Sequence, residues 1–463
     1  MPQLHPLAIL AVGIFAVLGM ILFLRINAFI ALITAAIIVS ILSPGPPAEK
    51  ITRVAFAFGT TIGNIGIVIA LAAIVGRCLI DSGAADRIVR FFLCLLGEKR
   101  GAASLMASGF ILSIPVFFDT VFYLLVPLAR TMYRRTGRNY LKYLLAIAAG
   151  ASITHTLVPP TPGPLIVAQT LGVDLGVMIL LGLAVAVPSA VVGYFFAGRF
   201  DRRLNITMRP IEGAPPDSPP LPDDQLPGLL SSILPIFLPV LLISTHTIIS
   251  TLVRNTPDSA ALIRFADFTA VVGNPNLAML LAAAIALAVL ARRRKLSRKQ
   301  LSQIAESALT SAGIIILITA AGGAFGAMLK AAQIGPAIQS IFTNDNAQYV
   351  NGRWLLPLAF SVAALLKFSQ GSSTVAMITT SAMLGSMITS PDTLNFHPVY
   401  LAIAIGSGSL VGFWMNDSGF WIFAKMGNLT ESETLKSLTP TLAILGLTSL
   451  AVTVLLSFLA PLT

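Results

Sequence analysis

Apolar residues run along this chain in stretches near the ~20 residues that carry a helix across a ~30 Å hydrocarbon core. The first half reads as spans at roughly 7–24, 28–42 and 59–80, a broken segment 101–130, a broken span 140–171, and a span 175–198. The second half repeats that order at 229–252, 269–290 and 307–330, a broken segment 354–388, a broken span 398–424, and 439–460. The fold expected is an all-α polytopic membrane protein. Between the halves, residues 199–228 hold Ala214-Pro215-Pro216-Asp217-Ser218-Pro219-Pro220 and no apolar run. They read as a linker between an N-terminal repeat, 1–198, and a C-terminal repeat, 229–463.

The four broken segments carry Ser113–Asp119 (SIPVFFD), Val158–Pro164 (VPPTPGP), Phe368–Thr374 (FSQGSST) and Asn416–Trp421 (NDSGFW). Prolines, glycines, acids and hydroxyls leave backbone groups unpaired at bilayer depth. That is tolerated only where the backbone is buried in protein or lines a wet cavity. Paired interruptions in the two halves mark the central binding site of a transporter.

Residue matches support a duplication. Adding 250 sets Gly63 on Gly313, Ile65 on Ile315, Ala70 on Ala320, Gly76 on Gly326, Leu79 on Leu329 and Ile88 on Ile338. The same shift sets Phe118 opposite Phe368 and Asp119 opposite Ser369, and a shift of 256 sets Gly163 on Gly419. If each broken segment of the 101–130 type is a re-entrant hairpin, each half makes five crossings. An odd number inverts the second half. With the N-terminus outside, 23 basic residues fall on cytoplasmic loops and span ends, six fall outside, and Lys367 lies within the membrane. That asymmetry obeys the positive-inside rule. It predicts periplasmic termini, a first hairpin whose mouth opens inwards and a second whose mouth opens outwards.

The interruptions supply the candidate chemistry. Ser113, Phe118 and Asp119 form the first hairpin tip. Asp119 is either a half-helix cap or a proton or cation carrier, roles that can coexist. In the first broken span, Thr161, Gly163 and freed carbonyls suit an ion or a substrate hydroxyl. His155 suits either a proton relay or a hydrogen-bonded structural role. The second tip, Ser369, Gln370, Gly371, Ser372, Ser373 and Thr374, is a compact donor and acceptor set for a polyhydroxylated ligand. Lys367 has three readings: neutralising a ligand carboxylate, snorkelling, or pairing with Asp417. Asn416, Asp417 and Ser418 complete the set, with Asp417 a second candidate proton carrier. Trp414 and Trp421 fit packing or anchoring better than sugar stacking.

Composition narrows the class further. Hydrophobic residues make up 56% of the chain and charged residues 11%, against about a quarter charged in soluble proteins. The net charge of +11 sits in loops flanking spans, so orientation accounts for it and no nucleic-acid partner is expected. Met1–Pro6 holds no Lys or Arg, so the apolar start reads as a span and not a cleavable signal. Cys78 and Cys94 lie on the predicted cytosolic side, where no structural disulfide is expected. No Cys or second His stands at ligand spacing and no nucleotide-binding glycine-lysine motif occurs. Neither a metal, a cofactor nor direct ATP drive is expected.

Ser113–Asp119, Thr154–Pro164 (THTLVPPTPGP), Gly322–Leu329 (GGAFGAML), Gln370–Ala376 (QGSSTVA), Asn416–Trp421 and Thr434-Leu435-Lys436 together resemble the gluconate permease family of bacterial proton-coupled symporters. The resemblance spans nearly the whole chain. It implies uptake of a sugar acid with protons across the inner membrane. The wider superfamily implies inverted repeats with re-entrant hairpins, and homodimers in which a transport domain slides against a scaffold. Lys367 stands where the family more often has Arg, and Gln333 where it tends to have Ser-Gly. A Lys cannot grip a carboxylate bidentately.

The competing readings are sodium coupling through Asp119, Thr161 and carbonyls, an intramembrane hydrolase using Ser372 or Ser418 with His155 as base, and a channel. Two mirrored, broken halves favour alternating access over a continuous pore. The inversion has a direct test. With Cys78 and Cys94 replaced, Gly137→Cys should label only from the cytoplasm and Trp354→Cys only from the periplasm. Labelling of both from one side would refute opposed hairpins.

Overall fold

The computed structural model describes residues 5–20, 24, 26–97, 100–209, 222, 225–255, 260–333, 352–385, 394–415 and 417–462, with no strand among them. The first half forms α1 (Pro6–Leu18), α2 (Ala28–Leu42), α3 (Thr52–Asp81), α4 (Ala84–Leu96), α5 (Gly101–Leu112), α6 (Phe118–Thr136), α7 (Tyr140–Leu157), α8 (Pro162–Thr170) and α9 (Leu175–Leu204). The second forms α10 (Leu229–Asn255), α11 (Ala260–Val272), α12 (Pro275–Arg294), α13 (Arg298–Ala331), α14 (Leu355–Gln370), α15 (Ser373–Gly385), α16 (Val399–Gly408), α17 (Ser418–Met426) and α18 (Glu431–Leu459). Seven helical segments among the described residues are long and apolar enough to cross a membrane.

All four interruptions fall where proline and glycine predict them. The α7 helix stops before Pro159-Pro160, whose peptide is cis, and α8 restarts with Pro162 in its first turn. Proline fits there because the first helical position has no partner for an N–H. In the second tip, Gly371 takes φ +82° and closes α14, a left-handed turn that favours glycine.

Several boundaries differ from the sequence reading: the spans expected to begin at 59, 307 and 439 begin at Thr52, Arg298 and Glu431, and the first helix ends at Leu18. The span expected at 269–290 is split at Gly273: Asn274 caps the Asn276 N–H and Pro275 opens α12, so the apolar run straddles two helices. The linker expected from 199 begins later, because α9 continues to Leu204, and 210–221 lie outside the described residues. The α4 helix was not among the expected elements. It buries Ala84, Ala85, Ile88 and Val89 on one face and sets Asp86, Arg87 and Arg90 on another, an amphipathic pattern too polar for a span.

The halves meet along two antiparallel crossings. Thr61 of α3 packs on Gly323 of α13, and Gly66 approaches Ile316, the residue that a shift of 250 sets opposite it. Between α9 and α18, the Ser449 hydroxyl donates to Ser189 Oγ at 3.0 Å, and Leu445 packs on Gly193. A shift of 256 carries Ser189 to Leu445 and Gly193 to Ser449, so it exchanges these two contacts.

In each half the helix that ends at one break packs, through a glycine, on the helix that leads into the other. A Cβ on Gly150 of α7 would lie 2.2 Å from the Met106 carbonyl oxygen of α5, and one on Gly408 of α16 would lie 2.2 Å from the Phe360 oxygen of α14. Close backbone approach through small residues is how helices associate in lipid. Gly150→Ala should therefore force α5 off α7 at a cost of roughly 1–3 kcal/mol, lowering the thermal-unfolding midpoint in detergent. Gly313→Ala, whose Cβ meets nothing within 4 Å, is the control expected to leave the midpoint in place.

Candidate functional site

The interruptions converge across the halves. A methyl on Gly163 would sit 2.0 Å from Met377 Cε and 3.8 Å from Thr374 Cα, so the start of α8 abuts the start of α15. A methyl on Gly419 would sit 3.0 Å from the Phe118 ring, so the start of α17 abuts the start of α6. The 256-residue shift exchanges these contacts too, carrying Gly163 to Gly419 and Phe118 to Thr374. Four helix N-termini thus meet in two pairs. Each carries the partial positive charge of a helix start, favourable to an anion, although Asp417 and Ser372 already bond one N–H each and Pro162 and Pro164 have none to give.

In the first half, Ser113 is buried and its Oγ has no hydrogen-bond partner. Asp119 is not the cap of α6. Phe117 holds that position with no side-chain bond, and Asp119 lies in the first turn, half-buried, with no hydrogen bond among the described residues. Its carboxylate is therefore available. Thr161 is buried and donates to the His155 and Val158 carbonyls, both at 2.9 Å, so it fastens the end of α7 to the break. His155 stacks edge-on against Phe117 at 5.7 Å. Its Nδ1 is buried without a partner, which departs from the hydrogen-bonded structural role offered by sequence. A small cleft opens beside these groups, lined by Ile69, Ala72, Pro115, Phe117, Pro160 and Thr161.

In the second half, Lys367 is only 1% exposed. Of its three readings, the structure has the ion pair: its ammonium bonds the Asp417 carboxylate. It also donates to the Gly371 carbonyl at 2.7 Å and sits 3.7 Å from the centre of the Phe413 ring. The other Asp417 oxygen accepts the Gly419 N–H at 2.6 Å and caps α17. Lys367 interacts electrostatically with Asp119 and His155, so the titratable groups of both halves share one field.

The hydroxyls of the second tip are partly committed. Ser372 Oγ accepts from the Val375 N–H at 3.3 Å, and Ser373 donates to the Ser409 carbonyl at 2.9 Å. Ser418 is exposed at the first position of α17. Asn416 lies outside the described residues, as do the side chains of Ser369 and Gln370. Trp414 stacks on Phe368 at 5.0 Å and donates to its carbonyl, while Trp421 donates to the Met415 carbonyl, so both pack. Sequence reasoning missed Phe413 and Phe117. An aromatic inside an apolar run carries no mark that separates a cation–π or histidine partner from core.

Comparisons with known proteins agree with this architecture. The family model for the GntP family permease matches residues 5–459. The chain is 32% identical to a gluconate permease of Pseudomonas aeruginosa, with 98% of each chain covered. It is 32% identical to the inner membrane permease YgbN of Escherichia coli, covering 96% of this chain and 97% of that one. Identity to the Gnt-II system L-idonate transporter of E. coli is 31%, over 94% and 95% of the two chains. The fold is similar to that of the YdaH transporter of Alcanivorax borkumensis, with a TM-score of 0.63, 14% identity, and 94% and 98% of the chains covered. It is likewise similar to MtrF of Neisseria gonorrhoeae, with a TM-score of 0.64, 16% identity, and 94% and 95% covered. Matched over nearly its full length, this chain belongs to the GntP family of permeases and is a multi-pass membrane transporter, not an enzyme.

Proposed function

We propose that this permease imports gluconate or a related sugar acid by proton symport across the bacterial inner membrane. The observation that carries the reading is the convergence of four helix N-termini beside a buried cation and two carboxylates. The N-termini and Lys367 suit a ligand carboxylate, and the hydroxyl-rich tip from Ser369 to Thr374 suits its hydroxyls, with Ser113, Phe118, Thr161, Gly163, Asn416 and Ser418 completing the pocket. A gluconate permease and an L-idonate transporter among the relatives support that ligand class. The proton is carried by Asp119 or Asp417, with His155 beside them.

The architecture proposed is two inverted repeats, each with five crossings, one hairpin and one broken helix. The antiparallel crossings of α3 with α13 and of α9 with α18, whose contacts the repeat shift exchanges, support it. Alternating access is of elevator type, with the hairpins and broken spans moving against a scaffold that pairs as a homodimer, as the family resemblance implies. Both termini face the periplasm.

The test is accumulation of labelled gluconate in proteoliposomes under an inside-alkaline pH gradient, in sodium-free buffer. Uptake with alkalinisation of the outer medium is expected; uptake only under a sodium gradient would replace the proton with sodium. Gln370→Ala and Ser372→Ala should each remove a hydrogen bond worth about 0.5–1.5 kcal/mol, raising KM by up to about tenfold. An unchanged KM in both would remove the second tip from the pocket.

A further inference from the structure

As the site stands, Lys367 has nothing left to offer a ligand. An ammonium has three N–H bonds. Three partners take them: the Asp417 carboxylate, the Gly371 carbonyl and the face of Phe413. The side chains of the pair are 1% and 5% exposed, so neither charge is compensated by water. Stripping one partner from such a pair leaves a buried charge unmatched, which is strongly unfavourable. A carboxylate arriving at the converging N-termini brings a second anion to this same cation. The other titratable groups that face Lys367 are Asp119 from α6 and His155 from α7.

We propose that the substrate carboxylate and Asp417 compete for Lys367, and that Asp417 takes up one proton when it is displaced. The proposal rests on the sugar-acid reading above and deepens it by assigning the coupling step. Before loading, the Lys367 ammonium pairs with the Asp417 carboxylate and the pair is neutral. After loading, the ammonium pairs with the ligand carboxylate, and a proton from water has become the O–H of Asp417. No other bond changes. The site's net charge is the same loaded and empty, so the element that moves carries no added charge through the lipid. One proton accompanies each monoanion. Protonated Asp417 still has an acceptor oxygen for the Gly419 N–H, so α17 keeps its cap. Asp119 has no cation of its own to surrender, since its carboxylate makes no ion pair among the described residues.

Titrating the purified full-length protein with gluconate, by calorimetry in buffers of different ionisation enthalpy, counts protons taken up per ligand bound. The count expected for the wild type is one, with apparent Kd rising about tenfold for each pH unit over the range where that count holds. Asp417→Asn frees Lys367 from its competitor: binding persists, the count falls to zero, and Kd loses its pH dependence. Lys367→Arg keeps a cation at the site and retains the count of one. Should Asp417→Asn fail to give a folded protein by thermal unfolding, the wild-type count and its pH slope decide alone. Gluconate binding with a count of zero overturns the exchange and leaves the sugar-acid reading standing. So does a count that survives Asp417→Asn, or one that Asp119→Asn abolishes. Absence of any gluconate binding by the wild type overturns the sugar-acid reading, and the exchange falls with it.

Discussion

A peptide group left unpaired away from water costs several kcal/mol, and this chain interrupts four helices within its packed interior. That constraint organises the molecule. Each interruption must be covered by protein, and part of the covering comes from the opposite half: α8 against α15, and α17 against α6. Helices of the same half add to that cover, Gly76 against Pro115 and Val116 and Gly182 against Leu157 and Val158, so both halves close around a shared centre. The long crossings of α3 on α13 and α9 on α18 hold the halves in the register those contacts require.

The same constraint explains how charge enters the membrane. A lone ammonium at the position of Lys367 would be prohibitive, and the Asp417 carboxylate makes it tolerable. Buried pairs of this kind add little net stability, because desolvation offsets most of their attraction. Their value lies in bistability. A neutral pair is a stable resting arrangement, yet a competing anion of equal charge can replace one member without leaving a net charge in lipid. The proposed coupling of a ligand to a proton would draw on that kind of near-balanced exchange.

Much of this was legible in the residues. Pro159-Pro160-Thr161-Pro162 cannot continue a helix, and Gly371 and Gly419 sit at turns and close approaches that their missing side chains permit. The breaks were therefore found in place. Partnerships were not legible, because sequence spacing does not say which break meets which. Lys367 had three readings of similar weight until the fold set it beside Asp417, 50 residues along the chain. The boundaries missed have physical causes as well. Gly273-Asn274 lies inside a run too apolar to betray a stop, and α4 mixes Asp86, Arg87 and Arg90 with apolar residues in a pattern that membrane-span logic discards.

The two halves are not equivalent where it matters most, and the departure is local. The first tip follows a 12-residue arm, α5, and is irregular from Ser113 to Phe117. The second has a 16-residue arm, α14, and only Gly371 and Ser372 before α15 begins. The extra helical turn is the one that carries Lys367 through Gln370. Where the first tip spends its residues on open backbone, the second spends them on helix, and the cation rides on that added turn with no counterpart opposite. The long helices thus bring the breaks together, while the difference between the tips leaves on one side a carboxylate with no ion pair among the described residues, Asp119, and on the other a paired cation. The site is polarised, and the polarity follows from a single turn of helix.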